Sequence, residues 1–480
     1  MLRIFGETAK ACDGIPRREA MCVGGLSLFS GLTLPRILQA QQTSAQIASS
    51  SRNTGPHHPA SAKSVVLINL FGGPPHMDMF DMKPKAPDNV RGEFQPISTS
   101  LPGVHICELL PQLAQLMDRT TLIRTYSHKY NSHNPYNVLT GFDGGNDREN
   151  YFAKRTDHPS FGSIMQYLGM GLADVPPYVM MPAFPGYTQA LRRSGPYGGY
   201  LGSQYDPLFT VCDPKFERES KGDYDPVLAV GTPVLPSVGE LPDISADRLN
   251  RRRSLLEQID SARRTLEASR ATQSMSHFQQ KVFSLLTSTK TQNAFDLAQE
   301  PDAVRDRYGR NLWGSSMLIG RRLVEAGSTL VTINWEAKNG SHWDLHANNF
   351  GMLRSLLPQL DQLASSLILD LEERHLLDST LVVIMGEMGR SPRVNGAAGR
   401  DHWPQCGFAL LCGGGIKRGT VIGRTDDQAA YPTDRPVSAG DLVATIYQVL
   451  GIDPNMTVND LNDRPIHVNH GGDPVWEAIA

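Results

Sequence analysis

At 480 residues the chain has room for up to about three domains and a large buried core. A formal net charge of -3, from 46 basic and 49 acidic residues, removes the electrostatic case for a nucleic-acid partner, and no aromatic-rich basic stripe supplies another. Its 40% hydrophobic and 20% charged residues are the balance of an ordinary globular protein, and 44 Gly with 33 Pro point to a loop-rich one whose function sits on its connections.

The amino terminus reads as a targeting segment. Arg17-Arg18 precedes an apolar, Gly-rich stretch from Met21 to Leu34, and Leu38-Gln39-Ala40-Gln41 offers a small-residue cleavage point. The paired arginines predict a twin-arginine export signal over residues 1–40, with a Sec signal or an uncleaved anchor as the alternatives. That route carries folded proteins, which suits a protein that acquires a metal in the cytoplasm and acts in the periplasm or outside the cell. Residues 41–62 read as a flexible linker. No later apolar run reaches the ~18 residues that span a bilayer, so the mature chain is expected to lack a transmembrane span.

From residue 63 the sequence alternates between β-branched runs and helical spacing. The pattern predicts strand 64–70, a helix near 108–118, strand 121–124, a helix near 134–140 and strand 177–182. A charged stretch with leucines at helical spacing, about 243–290, reads as a helical insertion. Its Arg251-Arg252-Arg253 run is interleaved with Glu257, Asp260 and Glu267, the mark of a solvated helix face. The alternation resumes with helix 302–326, strand 329–334, helix 349–373, strand 380–385, strand 408–412 and helix 439–450. This order predicts an α/β three-layer sandwich over residues 63–480, with a mostly parallel central sheet and helices on both faces. Cys12 and Cys22 fall in the signal; Cys107, Cys212, Cys406 and Cys412 form no Cys-x-x-Cys pair, which argues against a zinc ribbon. Disulfides and buried free thiols both remain open for them.

Chemistry gathers just after the strand-like runs, where open α/β sheets bind their ligands. The first run is followed by His76 and Asp78, with Asp81 near, and the run ending at Asn334 by His342, Asp344 and His346. The apolar run Leu381–Met385 meets Glu387 and Arg390, and Asp401-His402 follows soon after. Imidazole nitrogen and carboxylate oxygen are the donors that zinc, manganese and similar divalent ions take. His76, Asp78, Asp344, His346, Glu387 and His402 are therefore the expected metal ligands, with Asp401 either a further ligand or the group that orients a ring. A buried Glu387 must be paired, protonated or metal-bound. Arg390 either grips an anionic substrate or neutralises Glu387. The strip from Tyr126 to Tyr136 offers Ser132 as a nucleophile and His128 and His133 as acid/base groups or ligands. Each cluster alone also reads as a polar loop; four of them behind separate strands point to one site.

The signatures Gly72-Gly73-Pro74-Pro75-His76-Met77-Asp78, Trp343-Asp344-Leu345-His346, Gly386-Glu387-Met388-Gly389-Arg390-Ser391-Pro392 and Gly399-Arg400-Asp401-His402-Trp403-Pro404 resemble those of a family of exported bacterial proteins, domain of unknown function 1501. The resemblance runs over about residues 16–455 and implies a relation to the alkaline phosphatase and sulfatase superfamily, metal-dependent hydrolases of phosphate and sulfate esters. It implies an alkaline phosphatase-like fold, and Ser438 to Thr445 match that superfamily's closing helix. Departures bear on activity. Glu387-Met388 stands where the superfamily carries Asp-His, and Phe71 stands where its first strand carries a metal-binding Asp. Asn131, which cannot attack, stands at the nucleophile's place with Ser132 beside it. The Cys-x-Pro-x-Arg of sulfatases is absent.

The expected function is an exported hydrolase of small-molecule or polysaccharide phosphate or sulfate esters, using one or two divalent ions (zinc, manganese, iron or calcium). The ions would activate Ser132 or a water, with Arg390 or Lys129 stabilising developing charge. The rival expectation is a non-catalytic binding or scaffold protein on the same fold.

Overall fold

A computed structural model describes residues 60–143, 151–172, 174–212, 214–236, 288–337 and 342–480. The expected export signal, the expected linker up to residue 59 and the expected insertion up to residue 287 lie outside the described residues.

Eight strands form one sheet: β1 (Ser64–Asn69), β2 (Thr120–Tyr126), β3 (Tyr178–Met181), β4 (Leu208–Phe209), β5 (Leu330–Asn334), β6 (Thr380–Met385), β7 (Gly407–Cys412) and β8 (Thr420–Ile422). Their order across the sheet is β8-β2-β7-β6-β1-β5-β3-β4. All neighbours run parallel except β7, which is antiparallel to both β6 and β2. β1 and β6 are buried along their whole length, because both faces of the sheet are covered.

The two-residue period of the strands splits their side chains between two cores. Val66 and Ile68 of β1 and Val382 and Ile384 of β6 join one core; Val65 and Leu67, with Leu381 and Val383, join the other. Helices α1 (Pro111–Ala114), α5 (Leu312–Ala326) and α6 (Asn349–Glu373) pack into the first core. Helices α2 (Tyr136–Thr140), α3 (Phe161–Tyr167) and α7 (Ala439–Val449) pack into the second. The molecule is thus a three-layer α/β sandwich with a mostly parallel sheet, as the sequence predicts.

Local differences have local causes. The helix expected over 302–326 is two, α4 (Asp302–Tyr308) and α5, because Gly309 turns at φ +76° and Asn311 caps α5 by accepting the Gly314 N–H at 2.8 Å. The helix expected near 108–118 is only the short α1 followed by a 3-10 turn at Met117–Arg119. None of the four cysteines of the described residues is in a disulfide, and Cys107, Cys406 and Cys412 are buried.

Candidate metal centre

Three parallel strands deliver their following loops to one edge of the sheet: β1 leads to Gly72-Gly73, β2 to residues 127–135, and β6 to Glu387. β7 runs the other way, so the loop 386–406 leaves and returns at that same edge. Its arms pair as a two-residue ladder, Gly389 with Trp403 and Arg390 with His402. That ladder is what brings His402 beside the end of β6.

The segment 342–346 is pinned from beneath and from the sides. Trp343 is fully buried against Trp335, which stacks on Trp313. Gly72, at φ +119°, lies so close that a Cβ there would fall 2.2 Å from the Asp344 nitrogen, and a Cβ on Gly399 would fall 2.0 Å from the His346 carbonyl. These close approaches explain why glycine stands at both positions. The Arg400 N–H donates to the Leu345 carbonyl at 2.9 Å, and Asn395 Nδ2 to the His346 carbonyl at 3.0 Å.

On this platform His133, Asp344, His346 and His402 offer one ligand atom each, all within 4.8 Å of one another. Asp344 Oδ1 lies 3.0 Å from His133 Nε2, 3.1 Å from His346 Nε2 and 3.7 Å from His402 Nε2. The His402 Nε2 is 2.8 Å from that of His133 and 3.0 Å from that of His346. Arg390, fully buried, donates to Asp344 at 2.6 Å. Three imidazole nitrogens and one carboxylate oxygen in this space are a donor set for a borderline divalent ion.

Burial pushes the Asp344 carboxyl up, but hydrogen bonds from His133, His346 and His402 outweigh it and hold the group well below the usual carboxylate range. Burial likewise lowers His133, and its bonds to Asp344 and Glu387 raise it above the ordinary histidine value. His346 is raised by its bond to Asp344 against partial burial, while His402 is lowered by burial.

The other expected site residues lie around this group in distinct roles. Glu387 is one step removed: its Oε1 is 2.7 Å from His133 Nδ1 and accepts the Gly72 N–H at 2.8 Å. Asp401 Oδ1 lies 3.2 Å from His346 Nδ1. Arg390 spends its other donors on the carbonyls of Gly72, Gly73 and Arg400, so it builds the site's frame. His76 and Asp78 stand apart. His76 Nε2 meets the Ala429 carbonyl at 2.7 Å, and burial lowers its pKa. Asp78 forms a buried fork with Arg400 at 2.7 and 2.8 Å. His128 is committed at both ring nitrogens, to the Glu387 carbonyl at 2.5 Å and to the Tyr130 N–H at 3.1 Å, and burial pushes its pKa down to about 4. The Ser132 hydroxyl is out of solvent and without a hydrogen-bond partner. Asn395, which steadies Asp401 at 3.1 Å, carries no sequence signal of its own.

Residues 62–479 match the family described as Protein of unknown function (DUF1501). No curated protein matches the chain. Among solved structures the chain is similar to the phosphonate monoester hydrolase SpPMH from Silicibacter pomeroyi, at 13% identity over 87% of this chain and 76% of that one, with a TM-score of 0.34. It is also similar to the lipoteichoic acid synthase LtaP from Listeria monocytogenes, at 11% identity over 87% and 77%, TM-score 0.36. A protein in the alkaline phosphatase superfamily from Vibrio parahaemolyticus is similar at 10% identity over 82% and 68%, TM-score 0.34.

Proposed function

The chain belongs to the DUF1501 family by its match over residues 62–479, and from that premise we propose that it is an exported, metal-dependent hydrolase of phosphate or sulfate esters. The observation that carries the metal half is the convergence of His133, Asp344, His346 and His402. The ester half rests on the relation to the alkaline phosphatase and sulfatase superfamily that the family signatures imply, and on the match of Ser438 to Thr445 to that superfamily's closing helix. Three imidazoles with one carboxylate suit zinc, iron or manganese and disfavour calcium, which takes oxygen ligands. A divalent ion held there supplies Lewis acidity toward an ester oxygen and toward water.

The chain's own groups set the rest. Asp344 and His346 are about one-third exposed, whereas His133 is mostly covered and Glu387 fully buried beneath it. Substrate therefore enters from the His346 side. Arg390 holds Asp344 in place and balances its charge. Asn131 cannot act as a nucleophile, and the sequestered Ser132 hydroxyl has no neighbouring base bonded to it. Water is the attacking group in this reading. The same absence of an activated hydroxyl favours the second reading, a metal-holding binding protein without turnover.

The deciding experiment measures metal content by inductively coupled plasma mass spectrometry on protein purified without chelator. It is paired with hydrolysis of aryl phosphate and aryl sulfate esters. One equivalent of zinc, iron or manganese, lost together with ester hydrolysis in Asp344→Ala, supports the hydrolase. Metal without turnover of either ester moves the reading to the binding protein, and a folded, metal-free wild type removes both.

A further inference from the structure

We infer that Glu387 is a positioning residue for the metal centre and not one of its ligands: it fixes His133 in the tautomer whose Nε2 faces the ion. The inference rests on the metal reading above. A carboxylate accepts hydrogen bonds and donates none. With Glu387 Oε1 2.7 Å from His133 Nδ1, the ring proton belongs on Nδ1, and the neutral ring then presents a lone pair on Nε2. That Nε2 is the atom 3.0 Å from Asp344 and 2.8 Å from His402.

The other two rings are held in the same sense by different acceptors. Asp401 Oδ1 sits 3.2 Å from His346 Nδ1, and the Asn131 carbonyl 3.3 Å from His402 Nδ1. With all three rings neutral, three Nε2 lone pairs and a carboxylate oxygen face one another, a donor set that a divalent cation takes. Glu387 differs from the other two acceptors in being fully buried. Out of water, its hydrogen bond to the ring is stronger than one exposed to solvent. The Gly72 N–H holds the same Oε1 at 2.8 Å, which ties the carboxylate to the loop against which Asp344 packs. Its second oxygen, Oε2, is buried without a hydrogen-bond partner. That leaves coordination through Oε2 as the competing role to be tested.

The test uses the full-length protein loaded with zinc. X-ray absorption counts the imidazole and oxygen ligands, and chelator competition gives the affinity, for wild type, Glu387→Gln, Glu387→Ala and His133→Ala. A positioning role predicts that Glu387→Gln keeps one equivalent and the wild-type ligand count while binding roughly 10–100-fold more weakly. His133→Ala should lose one imidazole. Circular dichroism and thermal melting restrict the comparison to folded variants, and Glu387→Gln serves if Glu387→Ala does not fold. A Glu387→Gln protein that loses an oxygen ligand makes Glu387 a ligand and overturns the inference. Unchanged affinity in Glu387→Ala or Glu387→Gln, whatever happens to the melting temperature, makes Glu387 a structural anchor only and also overturns it. Wild type that takes up no zinc sinks the metal reading itself, a result distinct from either of these.

Discussion

Two buried arginines divide the work around the site. Arg390 holds three carbonyls and Asp344, so its charge is spent on the metal platform. Arg400 directs two donors to Asp78 and the others to the carbonyls of Ser391, Pro392 and Val90. Asp78 therefore compensates a charge that is wholly out of water. Removing one partner of such a pair leaves the other buried and unpaired, which costs roughly 3–5 kcal/mol. Asp78→Ala is expected to lose stability of that order in urea denaturation, while its folded fraction keeps the metal equivalent of wild type. Loss of metal with unchanged stability would instead make Asp78 a ligand.

At the level of elements, the reversed strand β7 matters most, because it returns the chain to the edge where the parallel strands end. The loop 386–406 then closes on itself at Arg390 and His402 and rests on His346 through Gly399. A second contact between elements, away from the metal centre, sets an acid limit. His158, ahead of α3, and His470, in the carboxy-terminal segment, pack with ring centroids 4.0 Å apart, next to Phe142 and Tyr200. Burial pushes His158 from 6.5 down to about 4 and His470 to about 3, with His158 and His467 adding repulsion at His470. A depressed folded-state value means that the unfolded chain binds more protons between about 6.5 and 4, so stability falls as the pH drops through that window. The thermal midpoint should therefore decrease from pH 7 to pH 5. Replacing both residues, His158→Gln with His470→Gln, should flatten that decrease, and an unchanged slope would show that the pair does not contribute.

For the whole molecule, one eight-stranded sheet separates two helix-lined cores. None of its described helices is long and apolar enough to cross a membrane. Among the described residues no cysteine is in a disulfide, and burial raises the thiols of Cys107 and Cys412 to about 12 and that of Cys406 further still. Thiols so far from ionising are poor partners for oxidation. That fits the proposed export, in which the chain would fold before it meets an oxidising compartment. The proposed twin-arginine route has the same order of events. Arg17→Lys with Arg18→Lys should retain the folded protein in the cytoplasm, followed by cell fractionation and immunoblotting. Undiminished export of that variant would leave a Sec-type signal as the explanation.

The sequence by itself determined the layers. β-branched runs between glycines specify buried strands, helical spacing specifies the covering helices, and the three-layer sandwich follows from covering both faces of a sheet. It also marked the neighbourhood of the site, since Asp344, His346, Glu387 and His402 all follow or border such runs. Membership of the ligand group was decided only in three dimensions. His133 joins it and Glu387 stands behind it because β2 and β6 end at one edge and the Glu387 carboxylate reaches the far side of the His133 ring. His76 and Asp78 carry the same residue types at an equally suggestive position, yet Arg400, distant in sequence, claims Asp78. A motif names the donors available at the end of a strand. Which of them meet depends on long-range pairing and on the glycines that permit close approach, and neither is written in local spacing.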